Sequence, residues 1–255
     1  MKDVHLSADA GFGRGAESYS RGRPDYPAAT LDWLRFDLGL MPGMTVVELG
    51  AGTGKFTRTL AKTGAKVVAI DPVGEMLKVL RRELPAIPAV QATAQKLPLP
   101  DATADAVICA QSFHWFASAD ALTEIRRVLV PGGMLGLIWN VRDQSVGWVA
   151  ELTRIMEPFE GDAPRYDHGE WRRVFPAPGF AELRERVIPH AHIGPPEQVI
   201  VDRIASVSFI AALDGSTRAR VLEQVRDLIA RTPGLVGRAE VSFPYVTCAY
   251  WTAAR

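Results

Sequence analysis

The sequence predicts an α/β fold, a doubly wound, mostly parallel sheet of seven strands with a helical cap. Short apolar runs of strand type alternate with helical segments through the first half of the chain, which is typical of βαβ units. A glycine-rich turn follows the first of these runs, where a doubly wound sheet places its ligand loop. The length of 255 residues fits one large α/β domain.

The elements follow a regular order up to about Asn140. After a Gly- and Arg-rich start and a helical segment over 28–38, strand-like runs begin near Thr45, Lys66, Ile87, Asp105 and Met134, and helical segments begin near Lys55, Gly74 and Asp120. Beyond Asn140 we expect a helix over 146–157, a strand over 183–193, a helical stretch over 197–231 and a final strand over 241–252. We therefore expect an N-terminal lid segment (1–40), a ligand-binding core (41–142), and cap elements with the last two strands of the sheet (143–255).

The most informative motif is the run Glu48-Leu49-Gly50-Ala51-Gly52-Thr53-Gly54 after the first strand. Its glycines allow positive φ angles and let a ligand approach the backbone. Glu48 indicates the class of ligand, because a carboxylate beside this turn would repel a pyrophosphate and attract a cationic amine or sulfonium.

Spacing argues against two phosphate-binding loops. The dinucleotide fingerprint requires a third glycine three residues after the second, and Lys55 stands there. The P-loop requires four residues between its glycines and a Ser or Thr after the lysine, but three residues separate Gly50 from Gly54 and Phe56 follows Lys55.

The remaining pattern, E-x-G-x-G-x-G, resembles motif I of the class I S-adenosylmethionine-dependent methyltransferases. Asp71 ends the second strand-like run 21 residues after Gly50, the spacing at which an acidic residue contacts ribose hydroxyls in nucleoside-binding folds. The runs 91–98 and 124–135 are similar to the family's adenine-contacting segment and to its helix, Pro-Gly-Gly turn and fifth strand. The resemblance covers about residues 45–140 and is closest to the type 11 and trans-aconitate methyltransferase-like groups.

The resemblance implies a Rossmann-like methyltransferase fold with S-adenosyl-L-methionine as cofactor. Tyr19 and Arg23 belong to a run similar to the family's Y-x-x-x-R-P-x-Y-P segment, which closes over the cofactor. Thr93 departs from the family pattern, because many relatives carry an aspartate there that accepts from the adenine amino group, so the backbone of Ala94 and Gln95 has a larger part in adenine recognition. The expected cofactor-binding residues are Tyr19, Arg23, Glu48, Gly50, Ala51, Gly52, Thr53, Gly54, Asp71, Pro72, Met76, Thr93, Ala94, Gln95, Gln111 and Ser112.

The methyl acceptor is expected beside the run Gln111-Ser112-Phe113-His114-Trp115-Phe116, which follows the fourth strand. His114 is the candidate catalytic residue, either as a general base or as part of the pocket wall. Of Phe113 and Trp115, one is expected to pack into the core. The expected substrate residues are Phe113, His114, Trp115, Asn140 and Arg142. The possible anion clamps Arg14, Arg21, Arg23 and Arg142 favour a carboxylate acceptor, and a hydroxyl is the other first choice.

Composition narrows the possible binding partners and the cellular compartment. The chain has 29 Lys plus Arg and 29 Asp plus Glu. It therefore has no net positive charge that would attract nucleic acid or an anionic membrane. Cys109 and Cys248 both fall in apolar runs, which suits a reducing cytoplasm, and there is no signal core or membrane-spanning run. His190 and His192 share a strand face but lack further ligands, so no metal is expected.

Two alternatives remain beside a small-molecule methyltransferase. A nicotinamide-dependent oxidoreductase shares the fold, although the third glycine of its fingerprint is missing. A non-catalytic regulatory subunit would keep the cofactor pocket without turnover. The sequence does not indicate the oligomeric state.

Overall fold

The computed structural model describes residues 23–255, which contain a seven-stranded sheet. The strands are β1 (Thr45–Leu49), β2 (Lys66–Asp71), β3 (Ala89–Gln91), β4 (Ala104–Ala110), β5 (Leu129–Arg142), β6 (Arg184–Gly194) and β7 (Val241–Ala253). Their spatial order is β3-β2-β1-β4-β5-β7-β6. The first five strands pair in parallel, and β7 runs antiparallel to both β5 and β6. The α/β class with a mostly parallel sheet is therefore confirmed.

Helices connect the strands. They are α1 (Thr30–Asp32), α2 (Thr57–Ala61), α3 (Gly74–Glu83), α4 (Ala119–Val128), α5 (Gly147–Met156), α6 (Arg203–Ala205), α7 (Ser208–Ala211) and α8 (Gly215–Arg231). Helix α1 continues as a π-helical turn, Trp33–Asp37, and a second π-helical turn, Glu197–Asp202, leads into α6. Among residues 23–255, no helix has both the length and the apolar composition that a membrane span needs.

The region expected to be helical over 197–231 is helical, but it is divided into separate short helices before α8. The side chain of Asp214 accepts hydrogen bonds from the backbone amides of Ser216 and Thr217, both at 3.0 Å. This N-cap starts α8 as a new helix, since it satisfies donors that would otherwise continue the preceding helix. Apolar spacing alone does not reveal such a break.

The sheet has a crevice where its strand order reverses. The chain builds outward from β1 through β2 to β3 and then crosses to β4 on the other side of β1. Connections at such a point leave in opposite directions, so a ligand crevice opens at the carboxyl ends of the two central strands. The glycine-rich loop follows β1, and the run 111–116 follows β4, so both lie at this crevice.

The cap elements have an apolar cluster of their own. Val149 and Leu152 of α5 pack with Ile204 of α6, Val225 of α8 and Phe243 of β7, and all five side chains are buried. β7 also pairs with β5 along nine residues. The apolar cluster of the cap elements is therefore joined to the sheet through one of the sheet's own strands. This connection brings α6 and α7 to the crevice.

Gly136 of β5 provides a test of packing in the central sheet. A Cβ at this position would lie 2.8 Å from both Leu38 Cδ2 and Ile108 Cδ1. We expect Gly136→Ala to lower the free energy of unfolding by about 1–3 kcal/mol, because the added methyl overpacks a filled space. Gly147→Ala is the matched control, since a Cβ there meets nothing within 4 Å. Equal urea midpoints for the two variants would contradict this packing argument.

Candidate functional site

The glycine-rich loop is held against the sheet by backbone hydrogen bonds. The amides of Gly50 and Ala51 donate to the carbonyl oxygen of Ile70 at 2.8 and 3.1 Å. Gly50 has a φ of +70°, and a Cβ there would lie 2.4 Å from the Cβ of Ser112. Ser112 Oγ in turn donates to the carbonyl oxygen of Leu49 at 2.7 Å. Gly50 is thus required both by its conformation and by Ser112, which joins the loop to the end of β4.

Asp71 fixes the same loop from the end of β2. One carboxylate oxygen accepts from the amide of Gly52 and the other from the amide of Val73, each at 2.8 Å. Burial raises the pKa of Asp71 to about 6, although these two hydrogen bonds lower it. The carboxylate therefore holds the loop, and whether it also reaches a ribose stays a prediction.

Glu48 is a buried carboxylate at the carboxyl end of β1. It is 1% exposed and accepts a hydrogen bond from Thr57 Oγ1 at 2.6 Å. Burial raises the pKa of Glu48 to about 8, with the Thr57 hydrogen bond lowering it and Asp71 raising it further. A nearby cationic ligand would favour the ionised form.

A cavity opens over the loop, here called the loop cavity. Its walls include the predicted residues Arg23, Glu48, Gly50, Ala51, Gly52, Thr53 and Gln111. Two features favour a ligand there: Gly52 has open space where a Cβ would be, and Thr53 Oγ1 is buried without a hydrogen-bond partner among the described residues. Lys55 also lines the cavity and lies 3.1 Å from Asp25 Oδ1.

A second cavity adjoins the first and is here called the arginine cavity. The two share Arg23, Gln111, Asn140 and Arg203 in their walls. Arg142 at the end of β5 and Arg165 also line the second cavity, whose one acidic wall residue among those described is Asp167. A site with this excess of positive charge favours an anion.

His114 lies in the wall of the arginine cavity, on the short 3₁₀ turn Phe113–Trp115. Its Nδ1 accepts a hydrogen bond from Trp139 Nε1 at 3.0 Å. Burial, together with Arg23, Arg165 and His168, lowers the pKa of His114 to about 3. The ring is therefore neutral at physiological pH with its proton on Nε2, so that this nitrogen donates a hydrogen bond and does not accept a proton.

The aromatic residues of the same run have different roles. Phe113 is fully buried and packs edge-on against Phe116, so it supports the wall from behind and lines neither cavity. Trp115 does line the arginine cavity, and its ring lies 5.2 Å from that of His114. The expectation that one of the pair packs into the core is met by Phe113.

Several predicted residues lie outside the walls of these two cavities. Met76 and Ala94 are buried, and Gln95 lines a further opening on the other side of His114 and Trp115. The remaining predicted residues in this group are Gly54, Asp71, Pro72, Thr93 and Ser112. Tyr19, Arg14 and Arg21 lie outside the described residues.

Two arginines of this site escaped the sequence analysis. Arg203 follows the π-helical turn and is 7% exposed, and Arg165 lies in the loop between α5 and β6. Neither lies in a motif, and only the packing of the cap onto β5 and β7 brings them to the crevice. The feature of the sequence that could have pointed to them is the excess of arginine over lysine in the cap.

His190 and His192 share one face of β6, and burial lowers the pKa of both imidazoles. Within residues 23–255, no group of three His, Cys, Asp or Glu side chains is placed to hold a metal ion. Independence from metal stays a prediction.

Comparison with known proteins identifies the family. Residues 47–137 match a family model described as a methyltransferase domain. An uncharacterized methyltransferase of Mycobacterium tuberculosis is 41% identical over 248 residues, covering 96% of this chain and 95% of the relative. An uncharacterized methyltransferase-like protein of Schizosaccharomyces pombe is 35% identical over 233 residues, covering 91% of each chain. This chain therefore belongs to the methyltransferase family, and it is an S-adenosylmethionine-dependent enzyme.

A solved structure agrees with the fold. A Haemonchus contortus phosphoethanolamine N-methyltransferase 2, in complex with phosphomonomethylethanolamine and S-adenosylhomocysteine, superposes with a TM-score of 0.56. At 13% identity it covers 95% of this chain and 57% of its own. S-adenosylmethionine fits the loop cavity here by its chemistry, because its amine and sulfonium complement Glu48 and Gly52 leaves room for a ligand at the backbone.

The raised pKa of Glu48 predicts a pH dependence of stability. The folded protein keeps a proton up to a pKa of about 8, whereas the unfolded chain releases it near 4.5. The stability of the unliganded protein therefore falls as pH rises between these values. We expect Glu48→Gln to remove this slope, with a melting temperature above wild type at pH 8.5 and a smaller difference at pH 5. Exposed Glu83→Gln is the control, and parallel curves for wild type and Glu48→Gln would contradict burial as the cause.

The hydrogen bond from Trp139 predicts that His114 is no general base. A lost general base costs about 10²–10⁴-fold in kcat. We expect a smaller loss for His114→Gln, whose amide keeps a donor, with the main effect on the acceptor KM. The kcat of wild type should show no ionisation attributable to His114 between pH 5 and 9, since its pKa lies near 3. A near-neutral ionisation that disappears in His114→Gln would overturn this assignment.

Proposed function

We propose that this enzyme transfers the methyl group of S-adenosylmethionine to O, N or C of a small molecule bound in the arginine cavity. A carboxylate or hydroxyl remains the first choice of acceptor. The observation that supports this proposal most directly is the junction of the two cavities, which share the walls formed by Arg23, Gln111, Asn140 and Arg203. A donor over the glycine loop and an acceptor in the second cavity would meet at this junction.

Asn140 is the residue best placed to organise the junction. Its Oδ1 accepts from Thr247 Oγ1 at 2.6 Å, and its Nδ2 donates to the carbonyl oxygen of Asp25 at 3.1 Å. Gln111 Nε2 donates to the carbonyl oxygen of Asn140, also at 3.1 Å. Asn140 thus ties the backbone at Asp25 to the sheet, and we propose that this fixes the distance between donor and acceptor.

The cofactor supplies an electrophilic methyl group, so the chain's own residues have to orient the two reactants and exclude water. Holding two reactants in line supplies about 7–11 kcal/mol of a displacement barrier. Trp115 and Trp139 add apolar rings to the wall of the arginine cavity, and the Nε2–H of His114 would offer one hydrogen bond to an acceptor oxygen. This arrangement suits a nucleophile that is already deprotonated and favours a carboxylate over a hydroxyl, because the pKa of His114 lies near 3 and the described residues shared by the two cavities include no His, Cys, Asp or Glu.

The core and the cap elements have different tasks in this proposal. We propose that the core (41–142) binds the cofactor and that the cap elements (143–255) select the acceptor, since Arg165 and Arg203 come from the cap. Cys109 and Cys248 are both buried free thiols, which supports a cytoplasmic enzyme. We further propose that it acts without nucleic acid or metal, and that its acceptor resembles those of the trans-aconitate methyltransferase-like group.

Asp71 provides the test of the cofactor site. Asp71→Asn cannot accept from both Gly52 and Val73, because one carboxylate oxygen becomes a donor. We expect at least about tenfold weaker S-adenosylmethionine binding by calorimetry, with the fold retained by circular dichroism. The control is Asp101→Asn at an exposed position. Unchanged affinity in Asp71→Asn would contradict the proposed site.

Turnover needs a separate experiment. An acceptor screen that reports S-adenosylhomocysteine release, with carboxylates and hydroxy acids first, should find product formation that persists in EDTA. Binding of NADH in place of S-adenosylmethionine would support the oxidoreductase alternative. Cofactor binding without any methylated product would support a non-catalytic subunit.

A further inference from the structure

Two buried guanidinium groups in the arginine cavity lack the partners that such charges require. Arg142 and Arg203 are each 7% exposed. Neither forms an ion pair with any Asp or Glu of residues 23–255, whereas Arg165 in the same cavity lies 2.7 Å from Glu160 and 3.4 Å from Asp167. A buried charge without a counterion is unfavourable even after the surrounding protein relaxes.

The hydrogen bonds of the two arginines are also incomplete. Nε and Nη1 of Arg203 are buried with no hydrogen-bond partner in the described part of the chain. Arg142 Nη1 has the sulfur of Met156 at 3.7 Å, which is a weak acceptor. Buried donors of this kind are normally satisfied, so these nitrogens are free for an external acceptor.

The surroundings of Arg142 compensate its charge only in part. Arg142 lies opposite Tyr245 in the β5–β7 ladder, and the Tyr245 hydroxyl is buried without a partner among residues 23–255. Burial and the neighbouring charges of Arg203 and Arg165 lower the pKa of Arg142 to about 10, whereas Tyr245 and Asp167 act to raise it. At neutral pH the guanidinium is still protonated, so Arg142 and Arg203 bring two cations to the wall of one cavity.

We infer that Arg142 and Arg203 form an oxyanion subsite that anchors the methyl acceptor through a carboxylate or phosphate group. This inference rests on the proposed function for the identity of the bound molecule, and it assigns Arg203 to substrate binding. A guanidinium group can bind two oxygens of either a carboxylate or a phosphate through two parallel hydrogen bonds. The charge that is unfavourable in the unliganded protein is compensated when the anion binds.

The subsite lies beside the junction and extends away from the loop cavity. Arg203 lines both cavities, whereas Arg142 lines only the arginine cavity. An oxyanion held between them therefore orients the acceptor relative to the glycine loop. Arg142 can be changed without removing any wall of the loop cavity.

The test measures binding of two probes, succinate and inorganic phosphate, by calorimetry, with and without saturating S-adenosylhomocysteine. We expect Arg142→Met and Arg203→Met each to weaken binding of the preferred probe by at least about tenfold. Tighter binding of succinate assigns a carboxylate, and tighter binding of phosphate assigns a phosphate ester. Exposed Arg154→Met on α5 is the matched control and should bind like wild type.

Stability provides a second measurement that a structural role would not reproduce. Removing an uncompensated buried charge should leave the melting temperature of unliganded Arg142→Met equal to or above that of wild type. The preferred probe should raise the melting temperature of wild type and leave that of Arg142→Met unchanged. Equal probe affinity in wild type and Arg142→Met, or a large loss of stability in that variant, would overturn the inference.

The same data separate this inference from the proposed function. If wild type binds the anion but not S-adenosylhomocysteine, the subsite stands and the methyltransferase assignment of the loop cavity fails. If wild type binds S-adenosylhomocysteine but neither anion, the subsite is wrong and the proposed function stands.

Discussion

The two hydrogen bonds that the Asp71 carboxylate accepts from Gly52 and Val73 hold the centre of this molecule together. They connect the loop after β1 to the turn after β2, and Ser112 connects the same loop to the end of β4. Three strand ends are thereby fixed to one another around the crevice. Every other part of the site is placed relative to this frame, because the loop cavity lies on it and the arginine cavity shares its wall.

The site places a buried carboxyl group at one end and buried guanidinium groups at the other. Glu48 lines the loop cavity, and Arg142 and Arg203 lie in the neighbouring cavity. Burial keeps Glu48 protonated up to a pKa of about 8, so a donor that carries a sulfonium would favour its ionised form. An acceptor that carries an anion would compensate the two arginines, which form no ion pair among residues 23–255.

Local sequence was enough to predict the core of the fold and the loop. Gly50, Gly52 and Gly54 all have positive φ angles, a conformational need that lies within five residues of sequence. The apolar runs of β1, β2 and β4 reflect the burial of these strands in the sheet. The same reasoning predicted helix over 197–231 but not its division into separate helices, since apolar spacing does not show where the Asp214 cap starts a new one.

Features that depend on distant parts of the chain could not be predicted in the same way. The proton position on His114 is set by Trp139, which reaches it only because β4 and β5 are neighbours. Arg203 is brought to the crevice by the packing of the cap on β7. Both are consequences of tertiary structure, for which a single sequence carries no periodic signal.

The antiparallel insertion of β7 between β5 and β6 has a consequence for how this family can change. Tyr245 and Thr247 lie opposite Arg142 and Asn140, whereas Cys248 lies opposite Trp139 on the other face of the sheet. A deletion of one residue in β7 would exchange these faces, placing apolar side chains beside Arg142 and polar ones beside Trp139. Relatives with other acceptors should therefore differ in β7 by substitution, while the loops that precede it are free to vary in length.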